Sequence, residues 1–149
     1  MSAAVLYQQV VLDHYRKPRN RGSLDGCTHA ADGVNALCGD FLRVEVDCAA
    51  ERRIAAIRFS GEACAITTAT ASMLSELVRG MDEAEVALAA LRFERVISGA
   101  GEDASLGDLN AMAELNRHPS RRKCAQLAWA TLRAALAGDS RATTEKDDP

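Results

Sequence analysis

Aromatic residues, prolines and long apolar runs are all scarce in this chain of 149 residues. Phe, Tyr and Trp make up 4% of it, which leaves few platforms for stacking the bases of a single strand. Nor is there a basic excess: 18 Lys and Arg stand against 21 Asp and Glu, for a formal net charge of −3. A duplex-binding surface is built on positive charge, so no nucleic-acid partner is expected. No run approaches the roughly 20 apolar residues that span a bilayer, which predicts no membrane segment. The N-terminal stretch has no basic region, and Asp13 ends its short apolar run, so no secretory signal is expected and the chain reads as cytoplasmic. Five cysteines are too few for a disulfide-dense miniprotein, and the number is odd. In a reducing compartment such thiols call for a metal or a nucleophile before a disulfide.

What is present is enough for one domain with a real core, at 48% hydrophobic and 26% charged residues. Leu6, Val10, Val11 and Tyr15 recur at helical spacing from Ala4 until Pro18 stops the pattern. A long connection follows, from Arg16 to Cys38, with room for one short strand. Phe41 to Cys48 alternates, Leu42, Val44 and Val46 against Arg43, Glu45 and Asp47, the mark of a half-buried strand. Ile54 to Phe59 supplies a second strand, antiparallel to the first across a short polar turn. Helices are predicted over Cys64 to Arg79 and over Glu83 to Ser98, the latter opened by an Asp82/Glu85 capping box and broken near Leu91 to Phe93. A loop covers Gly99 to Gly107, and Asp108 caps a short helix through Leu115. Pro119 interrupts before a last helix from Cys124 to Ala137, with Trp129 on its inward stripe. Strands early and helices late predict an α+β domain over 1–137, a small antiparallel sheet covered by helices. Residues 138–149 read as a disordered polar tail.

Three cysteines sit where chemistry is favoured. Cys38 lies in Leu37-Cys38-Gly39-Asp40, and in an extended segment Cys38 and Asp40 would project together. Cys64 and Cys124 each stand at a predicted helix start, where the dipole favours the thiolate. Should these elements converge, three sulfurs and the Asp40 carboxylate would close a tetrahedral zinc site, with Arg121, Arg122 and Lys123 offsetting its negative charge. Buried unliganded cysteine is the competing reading. Cys48 shares strand parity with the core, and Cys27 lies in a polar loop. His118 fits an exposed loop, and His14 fits a packing or hydrogen-bonding role.

The residues also resemble a known family. Asp13-His14-Tyr15 with Pro18-Arg19-Asn20, then Asn35-Ala36-Leu37-Cys38-Gly39-Asp40, Ser60-Gly61-Glu62-Ala63-Cys64 and Arg121-Arg122-Lys123-Cys124 are similar, in order, to the blocks of the iron–sulfur cluster assembly scaffold family of the IscU/NifU N-terminal type. Lys123, where the IscU type carries histidine, and the long gap from Cys64 to Cys124 resemble its SufU branch. Ala36 and Ala63 depart from that family's proline and glycine. The resemblance implies zinc on Cys38, Asp40, Cys64 and Cys124, or alternatively iron or an iron–sulfur cluster at the same site. It implies a pyridoxal-phosphate cysteine desulfurase of the SufS type as sulfur donor, and a downstream scaffold or apo-protein as recipient. Cys38 would be the sulfur acceptor, supported by Arg121 and Lys123. Three functions follow from it: a sulfurtransferase-like relay, a scaffold on which a cluster is built, and a structural zinc domain.

Overall fold

A computed structural model describes residues 2–144. Ser2 caps α1 (Ala3–Arg16), its hydroxyl accepting from the Val5 amide at 3.2 Å. Three strands follow, β1 (His29–Asn35), β2 (Asp40–Cys48) and β3 (Ile54–Ser60), then α2 (Ala65–Leu77) and α3 (Glu83–Arg95). A π-type turn (Val96–Ala100) and a 3-10 segment (Ala104–Arg117) lead into α4 (Pro119–Ala137) and the short β4 (Arg141–Thr143). The sheet order is β3-β2-β1-β4, antiparallel through the first three strands, with β4 parallel to β1. The architecture is the expected α+β one. Among the described residues no helix is long and apolar enough to cross a membrane.

Alternation decides which face of the sheet is covered. Leu42, Val44 and Val46 are buried under the helices, with Ile57 and Phe59 beside them on β3. On the open face Arg43 pairs with Asp32 at 3.0 Å and with Glu45 at 3.1 Å. Against the covered face lies α4, close enough that a Cβ on Gly33 would fall 1.9 Å from Thr131 Oγ1. Next to it α2 is buried on every side from Ile66 to Ser75. Its small residues, mostly Ala, Thr and Ser, let α1 and α4 pack tightly around it.

Several boundaries differ from the sequence reading. The long connection holds β1, which pairs along its whole length with β2. Unbroken at Leu91 to Phe93, α3 keeps its Asp82/Glu85 capping box, and the irregularity falls at Gly99, where φ is 100°. Asp103, not Asp108, caps the next segment, accepting from the Ser105 amide at 3.0 Å. Pro119 begins α4 rather than interrupting it, because its fixed φ and missing N–H suit the first helical position. Cys124 therefore lies in the second turn and not at a helix start. The tail is also more ordered than expected. Gly138, at φ 84°, turns the chain back at the end of α4, and Arg141–Thr143 pairs with Asp32–Val34. Polarity kept this segment out of the core but did not keep its backbone from satisfying the edge of β1. Residues 145–149 of the expected tail lie outside the described residues.

Candidate functional site

Cys38 sits on the tip of the β1–β2 hairpin. Asn35 pairs with Asp40, so Ala36 to Gly39 form the turn, closed by Cys38 N–H to Asn35 O at 3.1 Å and Gly39 N–H to Ala36 O at 3.2 Å. Gly39 takes φ 69°, which an L side chain resists. The segment is a turn and not the extended strand that parity assumed, yet it brings Cys38 and Asp40 together. Cys38 is exposed, whereas Asp40, the first residue of β2, is buried.

The other two thiols arrive from the helices. Cys64 is the N-cap of α2, and Cys124 is buried on α4 with its Sγ 3.2 Å from Cys38 Sγ. Cys38, Asp40 and Cys124 each present a donor atom within 4.8 Å of the other two, a group able to hold a metal ion. Cys64 stands at the edge of this triplet, its Sγ 3.5 Å from Asp40 Oδ2. These four are the residues that the sequence reading offered as metal ligands.

Buried carboxylates need donors, and Asp40 has them. The Cys64 amide donates to Oδ1 at 2.7 Å, and the Thr67 hydroxyl is 2.6 Å from Oδ2. The same hydroxyl lies 3.0 Å from the Cys124 carbonyl and 3.5 Å from Cys64 Sγ. Thr67 is the junction of the site, touching the start of β2, the cap of α2 and the backbone of α4. Sequence reading missed it. Its signal was a hydroxyl one turn after a cysteine N-cap, where first-turn side chains reach back to the cap. Asn35 was also passed over: it is fully buried, faces Asp40 across the hairpin, and has a side-chain amide without a hydrogen-bond partner.

Protonation is uneven across the thiols. Hydrogen bonding from Cys124 pulls Cys64 down to about 6, helped by Thr67 and opposed by burial. Cys124 is pushed up by Cys64, by its own burial and by Cys38. The two thiols are moved in opposite directions, Cys64 toward the thiolate and Cys124 toward the thiol. A helix N-terminus favours that assignment.

Of the proposed supports, Arg121 stands beside Tyr7, whose phenol is raised by burial and partly lowered by that guanidinium, although the two are not aligned for a hydrogen bond. Half-buried Lys123 precedes Cys124, and its side chain makes no hydrogen bond or ion pair among the described residues. Cys48 closes β2 at the far end of the sheet, half-buried against the core rather than within it, and Cys27 lies near it before β1. His118 marks the entry to α4, outside the group. His14 is buried, with Nδ1 2.8 Å from Ser72 Oγ, as a hydrogen-bonding residue should be.

The donor set fits a soft metal. Around tetrahedral zinc, with sulfur at about 2.3 Å, ligand atoms lie roughly 3.7 Å apart, which the spacing of the triplet accommodates. Two thiols and a carboxylate within mutual reach, with a third thiol at hand, select zinc or iron–sulfur chemistry over magnesium or calcium.

An exposed thiol on a hairpin tip, a buried thiol behind it and a fixed carboxylate define a thiol-bearing metal domain of α+β architecture. Comparison with known proteins makes this definite. The NifU-like N-terminal domain model matches residues 6–145, and the chain belongs to that family. It is 36% identical over 135 residues to the zinc-dependent sulfurtransferase SufU of Bacillus subtilis, covering 89% of this chain and 90% of that one. To the iron–sulfur cluster assembly scaffold protein IscU of Streptococcus pyogenes it is 35% identical over 133 residues, covering 88% and 82%. A crystal structure of a hypothetical protein superposes with a TM-score of 0.82 at 35% identity, over 89% of this chain and 98% of that one.

Proposed function

We propose that this chain is a zinc-dependent sulfur acceptor of SufU type, which takes persulfide sulfur from a cysteine desulfurase and passes it toward iron–sulfur cluster assembly. The observation that carries the reading is the exposure of Cys38 in a group whose other members are buried or half-buried. A purely structural metal site closes around its ligands, whereas this one offers a thiol to a partner. Likeness to a protein named a zinc-dependent sulfurtransferase supports it. The metal would be held by Cys38, Asp40, Cys64 and Cys124, and when bound it keeps thiols deprotonated and protected until a partner engages. Asp40 is the hardest donor in a soft set and the one most readily exchanged. Cys38, at the tip of the β1–β2 hairpin, accepts the sulfur, and Arg121 and Lys123 supply positive charge for an anionic persulfide. The donor is a pyridoxal-phosphate desulfurase of SufS type, and the compartment is the reducing cytoplasm.

Desulfurase turnover tests this. With cysteine as substrate, the chain should raise alanine production, and Cys38→Ser should abolish the increase while leaving basal desulfurase turnover as it was. Unchanged stimulation by Cys38→Ser would contradict the reading. A second reading, a scaffold on which the cluster is built, is favoured by the family's IscU members. It predicts a transferable chromophore from iron and sulfide under anaerobic conditions, with no effect on alanine production.

A further inference from the structure

Asn35 is buried at the base of the hairpin that carries Cys38, and its amide has nothing to bond. The residue is fully enclosed, and neither Nδ2 nor Oδ1 has a hydrogen-bond partner among the described residues. Thr131, equally buried against the same strand, donates its hydroxyl to the Leu127 carbonyl at 2.7 Å. An unpaired amide in a dry layer costs the fold free energy, so its presence calls for a partner.

Strand register fixes where the amide lies. Asn35 pairs with Asp40 across the hairpin, and directly paired residues place their side chains on one face of a sheet. It also shares a face with Gly33, two residues earlier, where Thr131 and Leu127 of α4 take the place of a Cβ. Toward the tip, Cys38 meets Cys124, three residues before Leu127 on the same helix. Asn35 stands between these two contacts along the hairpin. Its amide is therefore flanked by the Asp40 carboxylate across the strand pair and by the Cys124 end of α4 across the layer.

We propose that Asn35 is a positioning residue of the metal centre, its side-chain amide donating to the negatively charged ligands that flank it. The idea rests on the reading of Cys38, Asp40, Cys64 and Cys124 as ligands. Ligation requires cysteine in its thiolate form, which adds acceptors beside the amide. Donors to ligating thiolates and carboxylates orient them and offset their charge. The Cys64 amide and the Thr67 hydroxyl already serve Asp40 from the helix side. Asn35 serves the set from the strand side. The competing role is a structural one, an amide held by a buried water.

The full chain and its Asn35→Leu and Asn35→Ala variants are loaded with zinc. Metal loss to a chelator is then followed beside the melting of each metal-free protein. Leucine matches asparagine in shape and needs no partner, so its metal-free form should melt no lower than the metal-free wild type. Zinc should nevertheless leave it about tenfold faster. The alanine variant should lose zinc faster as well, although its cavity lowers the melting temperature. Zinc retention equal to wild type in either variant would overturn the proposal. So would a metal-free leucine variant that melts lower, because the amide would then have a partner without the metal. A wild-type chain that holds no zinc would instead reject the ligand reading on which the proposal stands.

Discussion

At the scale of single residues, Thr67 and His14 make the sharpest claims. The Thr67 hydroxyl is shared between Asp40 Oδ2 and the Cys124 carbonyl, all of them buried. Thr67→Val keeps the shape and removes the hydroxyl, leaving a buried carboxylate one donor short, at a cost of about 1.5–3 kcal/mol. The denaturant midpoint should fall accordingly and Thr67→Ser should restore most of it; a midpoint unmoved by valine would mean that the hydroxyl is idle. His14 is pulled below its ordinary 6.5, first by burial and then by the Arg19 charge. Its neutral form is the one the fold accommodates. That contribution to stability is whole above 6.5 and is lost as pH falls through the lower folded value. Melting temperature should therefore drop between about pH 7 and pH 5, and the drop should shrink in His14→Gln, which keeps a partner for Ser72. Equal slopes in the two proteins would show that His14 is not responsible.

At the scale of elements, the close seat of α4 on β1 sets the site. Gly33 has no Cβ because Thr131 and Leu127 occupy its place. Gly33→Ala should cost about 1–3 kcal/mol through overpacking, and it should weaken metal binding because α4 carries Cys124. Trimming the opposing residue, in Gly33→Ala with Thr131→Ala, should recover part of both; no recovery would place the damage elsewhere. The N-terminal motif also finds its meaning here. The Arg19 amide donates to Ser72 Oγ at 2.8 Å, and Asn20 Nδ2 donates to Ser75 Oγ at 2.9 Å, so the segment after α1 is fastened to α2. Alternation made β2 and β3 legible, and the capping box marked α3. The segment before α4 was misread because Leu106, Leu109, Met112 and Leu115 repeat every third residue. That is the 3-10 period, easily mistaken for one stripe of a short α-helix. Polar β4 carried no apolar pattern at all; only its backbone pairing defines it.

At the scale of the whole molecule, the account depends on convergence. Nothing in the spacing of Cys38, Cys64 and Cys124 brings them together, since each belongs to a different element and no Cys-x-x-Cys pair exists. The family blocks were legible because they run in register along the chain, and they named the residues that meet. The fold supplies the reason: the β1–β2 hairpin tip, the cap of α2 and the second turn of α4 end at one edge of the domain. Thr67 and Asn35 stayed hidden because their roles are tertiary, one joining three segments and the other buried across a strand pair. The most direct measurement is peptide mass mapping of the five cysteines after brief reaction with a desulfurase and cysteine. The mass of one added sulfur atom should appear on the Cys38 peptide and be absent from those of Cys27 and Cys48. Sulfur spread evenly over all five, or found only at Cys27 or Cys48, would contradict the account.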